Sequence, residues 1–327
     1  MNELRKNPLT REWVVISAEG PRSAEAEDGC PYCPGREHLS GPELLSYRDP
    51  NTEADAPGWW VRVVRPVTSC LQCDADLDRH DEGIYDTMRA AGGDEIVVET
   101  PVHDEPAAFS NPQHSEDALW ACRERYAHWS ARESVKSVVI SRHFPGRHPE
   151  HPHWRLLAPP VVPQGLWEMA KGMEQYYDYR GRCGICHIAL ADCEDGNRIV
   201  VENRHFLAIA PYASTHPYET WVIPRRHHGH LTGTNRQEMQ SLARILADAL
   251  GALNNALRDP RCVMTFMCAP CNIEEMQHFH WFIRVLPDVG IPGRAELEHG
   301  ISVNPVAPET AARQLRRAVA ATLAHKP

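Results

Sequence analysis

Glu150-His151-Pro152-His153-Trp154-Arg155 is the stretch on which the reading of this chain turns. Pro152 disfavours the helical region at His151 and biases it toward extended backbone. Residues i and i+2 of an extended segment project to the same side, so His151 and His153 share a face. One imidazole can then anchor on a metal while the other faces a substrate. A neutral imidazole held in a fixed position is what nucleophilic attack on phosphorus needs. The plainer alternative is that His148, His151 and His153 are surface or purely metal-binding residues.

Working outward, the chain of 327 residues carries 11 Cys and 19 His. An odd Cys count argues against a disulfide framework. Four Cys-x-x-Cys pairs stand out: Cys30/Cys33, Cys70/Cys73, Cys183/Cys186 and Cys268/Cys271. Zinc takes four ligands in a tetrahedron, usually Cys thiolate and His nitrogen. Cys30-Pro31-Tyr32-Cys33-Pro34-Gly35 is a turn that points two sulfurs at one centre, and with His103 and His151 it makes a first expected site. Cys183, Cys186, His227 and His280 make the second. Each pair could instead be buried thiols, since Cys is a common core residue. Cys70/Cys73 and Cys268/Cys271 have no evident His partners. A thioredoxin-like redox role would need a βαβ context, which no pair has.

Length and composition set the frame. The chain is long for one core and suits two domains of about 150 residues. Hydrophobic content of 42% and charged content of 24% are those of a globular protein. A net charge of −10 argues against a nucleic-acid surface. No run approaches the length of a membrane span. Met1-Asn2-Glu3-Leu4-Arg5-Lys6 lacks the apolar core of a signal peptide, so a cytoplasmic location is expected.

Periodicity predicts strands at 12–17, 59–64, 94–100, 135–141, 198–202, 206–211, 219–223, 263–267 and 280–286. It predicts helices at 115–133 with Ser115 as cap, and at 164–177, 236–257 and 307–323. Residues 74–93 read as a polar loop, and 145–163 as too punctuated for a helix. The two halves, 1–175 and 176–327, echo each other: Cys-x-x-Cys, strands, a helix, then a strand carrying paired His or its counterpart. The expected class is α+β with antiparallel sheets flanked by helices.

Taken together these segments resemble the galactose-1-phosphate uridylyltransferases and the related nucleotide-sugar phosphorylases, of the histidine-triad-like superfamily. Asn7-Pro8-Leu9-Thr10-Arg11-Glu12-Trp13-Val14 is similar to their opening strand, and Cys30 to Gly35 to their first zinc knuckle. Glu95-Ile96-Val97-Val98-Glu99-Thr100-Pro101-Val102-His103 resembles their strand ending in a zinc histidine. His151-Pro152-His153 resembles their active-site motif. Arg198-Ile199-Val200-Val201-Glu202-Asn203, Thr220-Trp221-Val222-Ile223-Pro224 and Asn304-Pro305-Val306-Ala307-Pro308-Glu309-Thr310-Ala311-Ala312 resemble their C-terminal half. The resemblance implies two histidine-triad-like domains, two zinc ions, a homodimer, and a ping-pong reaction. In it, His153 attacks the α-phosphorus of a nucleoside diphosphate sugar, and a phosphorylated acceptor then takes the nucleotide. His151 is implied as a zinc ligand that shapes the active loop.

The substrate contacts depart from the family pattern. Arg155 stands where the family has a phosphoryl-binding Gln, and Arg for Gln is not conservative. Arg147-His148 replaces a Gly-Ser phosphate contact. Arg22 is what remains of an Arg-rich stretch, and Arg65 stands near a lost nucleoside-proximal Asn. Phe282 replaces a second histidine, and Glu296 alone survives from a Gly-Phe-Glu turn. The expected catalytic pair is His153 and Arg155, with Arg22, Arg65, Arg147, His148 and Glu296 against an altered nucleotide-sugar or sugar-phosphate substrate. A hydrolase, a phosphorylase and a zinc-stabilised nucleotide-binding protein remain as alternatives.

Overall fold

Ten strands join edge to edge into one sheet, and four more form a second. A computed structural model of the chain describes residues 2–17, 29–103, 112–145, 150–272, 276–289 and 301–324. In chain order the strands are β1 (Glu3–Lys6), β2 (Trp13–Ile16), β3 (Glu43–Arg48), β4 (Trp59–Val64), β5 (His80–Glu82), β6 (Tyr85–Arg89), β7 (Gly93–Val98), β8 (Val139–Phe144), β9 (His153–Ala158), β10 (Ile199–Glu202), β11 (Phe206–Ile209), β12 (Thr220–Pro224), β13 (Arg261–Met267) and β14 (Phe282–Asp288). The helices are α1 (Pro112–Ser130), α2 (Gln164–Arg180), α3 (Gly184–Asp195), α4 (Arg236–Leu257) and α5 (Pro308–Ala324).

The large sheet runs β10-β11-β12-β14-β13-β8-β9-β7-β4-β3, and a second sheet of four strands runs β2-β1-β6-β5. All paired strands are antiparallel. The α+β class therefore holds. Its internal order is duplicated. β3, β4, β7, α1, β8 and β9 recur in the same sequence and the same sheet positions as β10, β11, β12, α4, β13 and β14. The two sets meet where β8 pairs with β13, Met264 opposite Arg142. Residue 175 falls inside α2.

Side-chain alternation along each strand divides two cores. Trp154, Leu156, Ile140, Met264, Phe266, Trp281 and Ile283 point to one face and pack against Leu119 and Tyr126 of α1, Leu242 and Leu246 of α4, and Leu315 of α5. Trp154 and Trp281 both lie against Phe266, at 5.5 and 6.0 Å between ring centroids. On the opposite face, Leu207, Ile209, Ile223 and Phe282 pack with Leu166 and Met173 of α2 and Ile185 of α3. Tyr32 packs over Trp59, Val64, Ile96 and Val98 on that same face. His153 and Arg155 alternate with Trp154 and so belong to this second face, between the two covers.

Two sequence expectations are corrected, and two segments left without an element are filled in. α1 starts at Pro112, not at a Ser115 cap; Ser115 is buried inside the first turns. Proline suits a first turn because its missing N–H has no helical partner to lose. Residues 74–93 are not a loop throughout: β5 and β6 form a hairpin whose turn is opened by Gly83 at φ 68°, a value glycine adopts without steric cost. The segment after Cys183 is a helix, α3, ended by Gly196 in the left-handed conformation. The 145–163 stretch contains β9, so His153 opens a strand.

α4 matches its sequence bounds because its signals are local. Asn235 accepts from the backbone N–H of Glu238, and Glu238 accepts from that of Asn235, a reciprocal cap that satisfies two otherwise orphaned donors. Replacing Asn235 by Ala should cost about 1 kcal/mol and lower Tm by roughly 2 °C. A differential scanning calorimetry trace indistinguishable from that of the parent would remove the cap from the account.

Candidate functional site

The first candidate centre sits at the end of β7 and the start of β9. Cys30, Cys33, His103 and His151 each bring one ligand atom to within 4.8 Å of the others. The Cys30–Cys33 turn closes on a backbone hydrogen bond from Cys33 to Cys30. His151 Nδ1 lies 3.7 Å from Cys30 Sγ and 3.5 Å from Cys33 Sγ, and His103 Nδ1 lies 3.3 Å from Cys33 Sγ. The other nitrogen of His151, Nε2, is 2.8 Å from the carbonyl of Thr100. A carbonyl only accepts, so Nε2 carries the proton and Nδ1 turns its lone pair to the sulfurs. Burial pushes the Cys30 thiol up to about 11; a bound cation would reverse that and hold the thiolate.

The second centre repeats the arrangement. Cys183, Cys186, His227 and His280 also bring one ligand atom each to within 4.8 Å of the others. Cys186 Sγ is 3.4 Å from His227 Nδ1 and 3.2 Å from His280 Nδ1. His227 Nε2 donates to the Gln277 carbonyl at 2.9 Å. The Cys186 thiol, seconded by His280, donates to Cys183 and holds it at about 3 against the effect of burial, while Cys186 is raised because it keeps the shared proton. The two clusters are therefore built alike, with soft sulfur and Nδ1 donors facing inward and one imidazole N–H in each, of His151 and of His227, tied to a backbone carbonyl. Such donor sets fit a tetrahedral soft or borderline metal ion.

His153 stands beside the first cluster without joining it. Its Nδ1 is 2.8 Å from the carbonyl of His151, so Nδ1 carries the proton and Nε2 keeps its lone pair. Burial lowers its pKa from the ordinary 6.5, against the raising effect of the His151 carbonyl, which favours a neutral imidazole. The Tyr32 ring centroid lies 5.5 Å from that of His153 and 6.2 Å from that of His151. Burial pushes the Tyr32 phenol up to about 12, so it stays a neutral donor. The arrangement presents a neutral, oriented nitrogen nucleophile whose N–H is backed by a carbonyl able to stabilise the charge that grows on the ring when it attacks.

Arg155 projects from the same face and is engaged. Its Nε and Nη2 donate to Asp94 at 3.2 and 2.9 Å, and Nη2 also reaches Cys70 Sγ at 3.0 Å. Asp94 further accepts from the backbone N–H of Cys70 at 2.7 Å. Arg65 follows β4, and its backbone packs against Gly41. Arg22, Arg147, His148 and Glu296 lie outside the described residues. Of the two spare Cys pairs, Cys70 belongs to the Arg155–Asp94 group. Cys268 and Cys271 are buried under α1, with Tyr126 Oη 3.9 Å from Cys271 Sγ and 2.8 Å from His230 Nδ1. Sequence reasoning missed Tyr32 and Asp94. Tyr32 had a signal, its place between two ligand cysteines; Asp94 had none short of strand register.

Comparison with known proteins supplies a context for this geometry. Residues 170–286 match the family described as galactose-1-phosphate uridyl transferase, C-terminal domain. ADP-glucose phosphorylase of Arabidopsis thaliana is 27% identical over 96% of this chain and 92% of its own length. Galactose-1-phosphate uridylyltransferase of Thermotoga maritima is 29% identical over 97% of this chain and 98% of its own length. The crystal structure of the Arabidopsis phosphorylase with bound ADP-glucose superposes at a TM-score of 0.76, with 28% identity, over 97% of this chain and 99% of that one.

Long-range ¹H–¹⁵N spectra of the imidazoles at pH 7 should show His153 protonated at Nδ1 and bare at Nε2. The opposite tautomer would leave Nε2 without a lone pair and exclude it as a nucleophile.

Proposed function

We propose that this chain, a divergent member of the galactose-1-phosphate uridylyltransferase family, is an enzyme that transfers a nucleotidyl group between sugar phosphates through His153. The observation that carries this is the hydrogen bond from His153 Nδ1 to the His151 carbonyl, which commits Nε2 to a lone pair. That lone pair attacks the α-phosphorus of a nucleoside diphosphate sugar. The bond from phosphorus to the bridging oxygen breaks, and the sugar 1-phosphate leaves with its electrons. A phosphate oxygen of the acceptor then attacks the same phosphorus, the P–N bond breaks, and the electron pair returns to Nε2. Near-attack geometry of this sort supplies much of an enzyme's advantage over solution.

The likeness to ADP-glucose phosphorylase supports inorganic phosphate as an acceptor beside sugar 1-phosphates, and adenine beside uracil in the donor. Zinc is the proposed occupant of both clusters, held by Cys30, Cys33, His103 and His151 and by Cys183, Cys186, His227 and His280. When bound it cross-links each cluster and takes no part in group transfer. The rest of the proposal is a cytoplasmic homodimer of two-domain chains, 1–175 and 176–327. Among the described residues no helix is long and apolar enough to cross a membrane.

Incubation with ADP-glucose or UDP-glucose at neutral to alkaline pH, followed by intact mass, should show a gain of one nucleoside monophosphate. His153→Ala should show none. A parent chain that takes up no nucleotide from either donor would sink the proposal.

Metal analysis should find two zinc ions per chain. Cys30→Ser and Cys183→Ser should each lose one and lower Tm, because structural zinc contributes folding free energy. Unchanged zinc after either substitution would strike that cluster from the account.

A further inference from the structure

The two halves carry one ion-pair clamp, built twice. On β9, Arg155 stands two residues after His153 and opposite Ile96 of β7, and Asp94, two residues before Ile96, accepts its Nε at 3.2 Å. On β14, Arg284 stands two residues after Phe282 and opposite Trp221 of β12, and Glu219, two residues before Trp221, accepts its Nε at 2.8 Å. The side chains of Asp94 and Glu219 are 0% and 2% exposed. Each carboxylate also holds a preceding turn by a backbone N–H, from Cys70 to Asp94 and from Thr215 to Glu219, both at 2.7 Å. Each guanidinium closes the triangle through Nη2, Arg155 to Cys70 Sγ at 3.0 Å and Arg284 to Thr215 Oγ1 at 2.8 Å.

In the second half the place of His153 is taken by Phe282, so there the clamp serves no nucleophile. What the two copies share is mechanical: a turn, the start of one strand and the start of the next are tied through a buried carboxylate. A bidentate fork whose charge is matched by a buried carboxylate is also poorly placed to give that charge to a phosphoryl group. We propose that Arg155 is a positioning residue, which acts through Asp94 to fix β9 and thereby the His153 imidazole, rather than a contact to the transferred phosphoryl group. This rests on the nucleotidyl chemistry proposed for His153.

The test is a double-variant cycle read as the rate of His153 adduct formation from ADP-glucose or UDP-glucose, whichever labels the parent chain. Arg155→Gln and Asp94→Asn should each slow the step at saturating donor by about tenfold, within the loss expected for a displaced reacting group. Neither should change the half-saturating donor concentration. The double variant should be no slower than the slower single one, because partners in one clamp are not additive. Arg155→Lys, which keeps the charge but not the fork, should behave as Arg155→Gln. Arg284→Gln should lower Tm and leave the adduct rate unchanged.

A phosphoryl contact would give a different pattern. Arg155→Lys would stay near the parent rate, or Asp94→Asn would leave the rate intact while Arg155→Gln slowed it, or the two effects would multiply. Any of these overturns the assignment, as does equal slowing by Arg284→Gln. If Asp94→Asn does not fold, the Lys and Gln variants of Arg155 decide between the two roles. A parent chain without adduct overturns the nucleotidyl chemistry and this assignment together; an adduct with the contact pattern overturns the assignment alone.

Discussion

The imidazole of His151 has two nitrogens, and both are committed. Nε2 donates to the Thr100 carbonyl, and Nδ1 faces the sulfurs of Cys30 and Cys33. The ring is thereby fixed in plane and tautomer, and the backbone that carries it is fixed as well. The His151 carbonyl then accepts from His153 Nδ1. Tautomer selection passes along the chain in this way: one carbonyl sets the first imidazole, and the carbonyl of that residue sets the second. Pro152 keeps the segment extended between them, and the pairing of His153 with Val98 begins the strand. The cluster of Cys30, Cys33, His103 and His151, which His153 does not join, thus governs which nitrogen of His153 keeps its lone pair.

The same local plan exists twice, with different outcomes. His280 matches His151, Phe282 takes the place of His153, and Ile283 and Arg284 follow where Trp154 and Arg155 stand. Phe282 packs with Trp221 at 4.6 Å between ring centroids and is sealed beneath α2 and α3. In the second half the position that His153 holds in the first belongs to the core. In the first half that position is held by His153, half-buried beside Tyr32. The Cys/His cluster and the ion-pair clamp stand in both halves, while the residue between them is His153 in one and Phe282 in the other.

Legibility in the sequence followed the range of each interaction. β4 could be read from Trp59-Trp60-Val61-Arg62-Val63-Val64, where β-branched and aromatic residues run without a break. α4 could be read from its cap and its stripe of Met239, Leu242, Leu246, Leu250 and Leu253. The eight cluster residues were readable because metal chemistry admits few residue types at fixed spacings. β5 was hidden because all three of its residues are exposed, so no alternation marks it. α3 was hidden because its short span leaves Ile188 and Leu190 in solvent, blurring any apolar stripe. Asp94 and Glu219 as partners of Arg155 and Arg284 depend on which residues fall opposite across strands, and register is set by the whole sheet.

The seam between β8 and β13 has a consequence for how the molecule comes into being. Arg142 and Met264 lie opposite each other yet are about 120 residues apart along the chain. A chain growing from its N-terminus completes β3 through β9 long before β13 exists, and closing so wide a gap costs entropy that local hairpins do not. Until then β8 is a bare, pairing-competent edge, the kind of surface that recruits other chains. Its outer positions include Ser141 and His143, polar groups in a strand that will end at the middle of a ten-stranded sheet. Their polarity serves the finished face, and it also makes that temporary edge a poorer template for aggregation during synthesis.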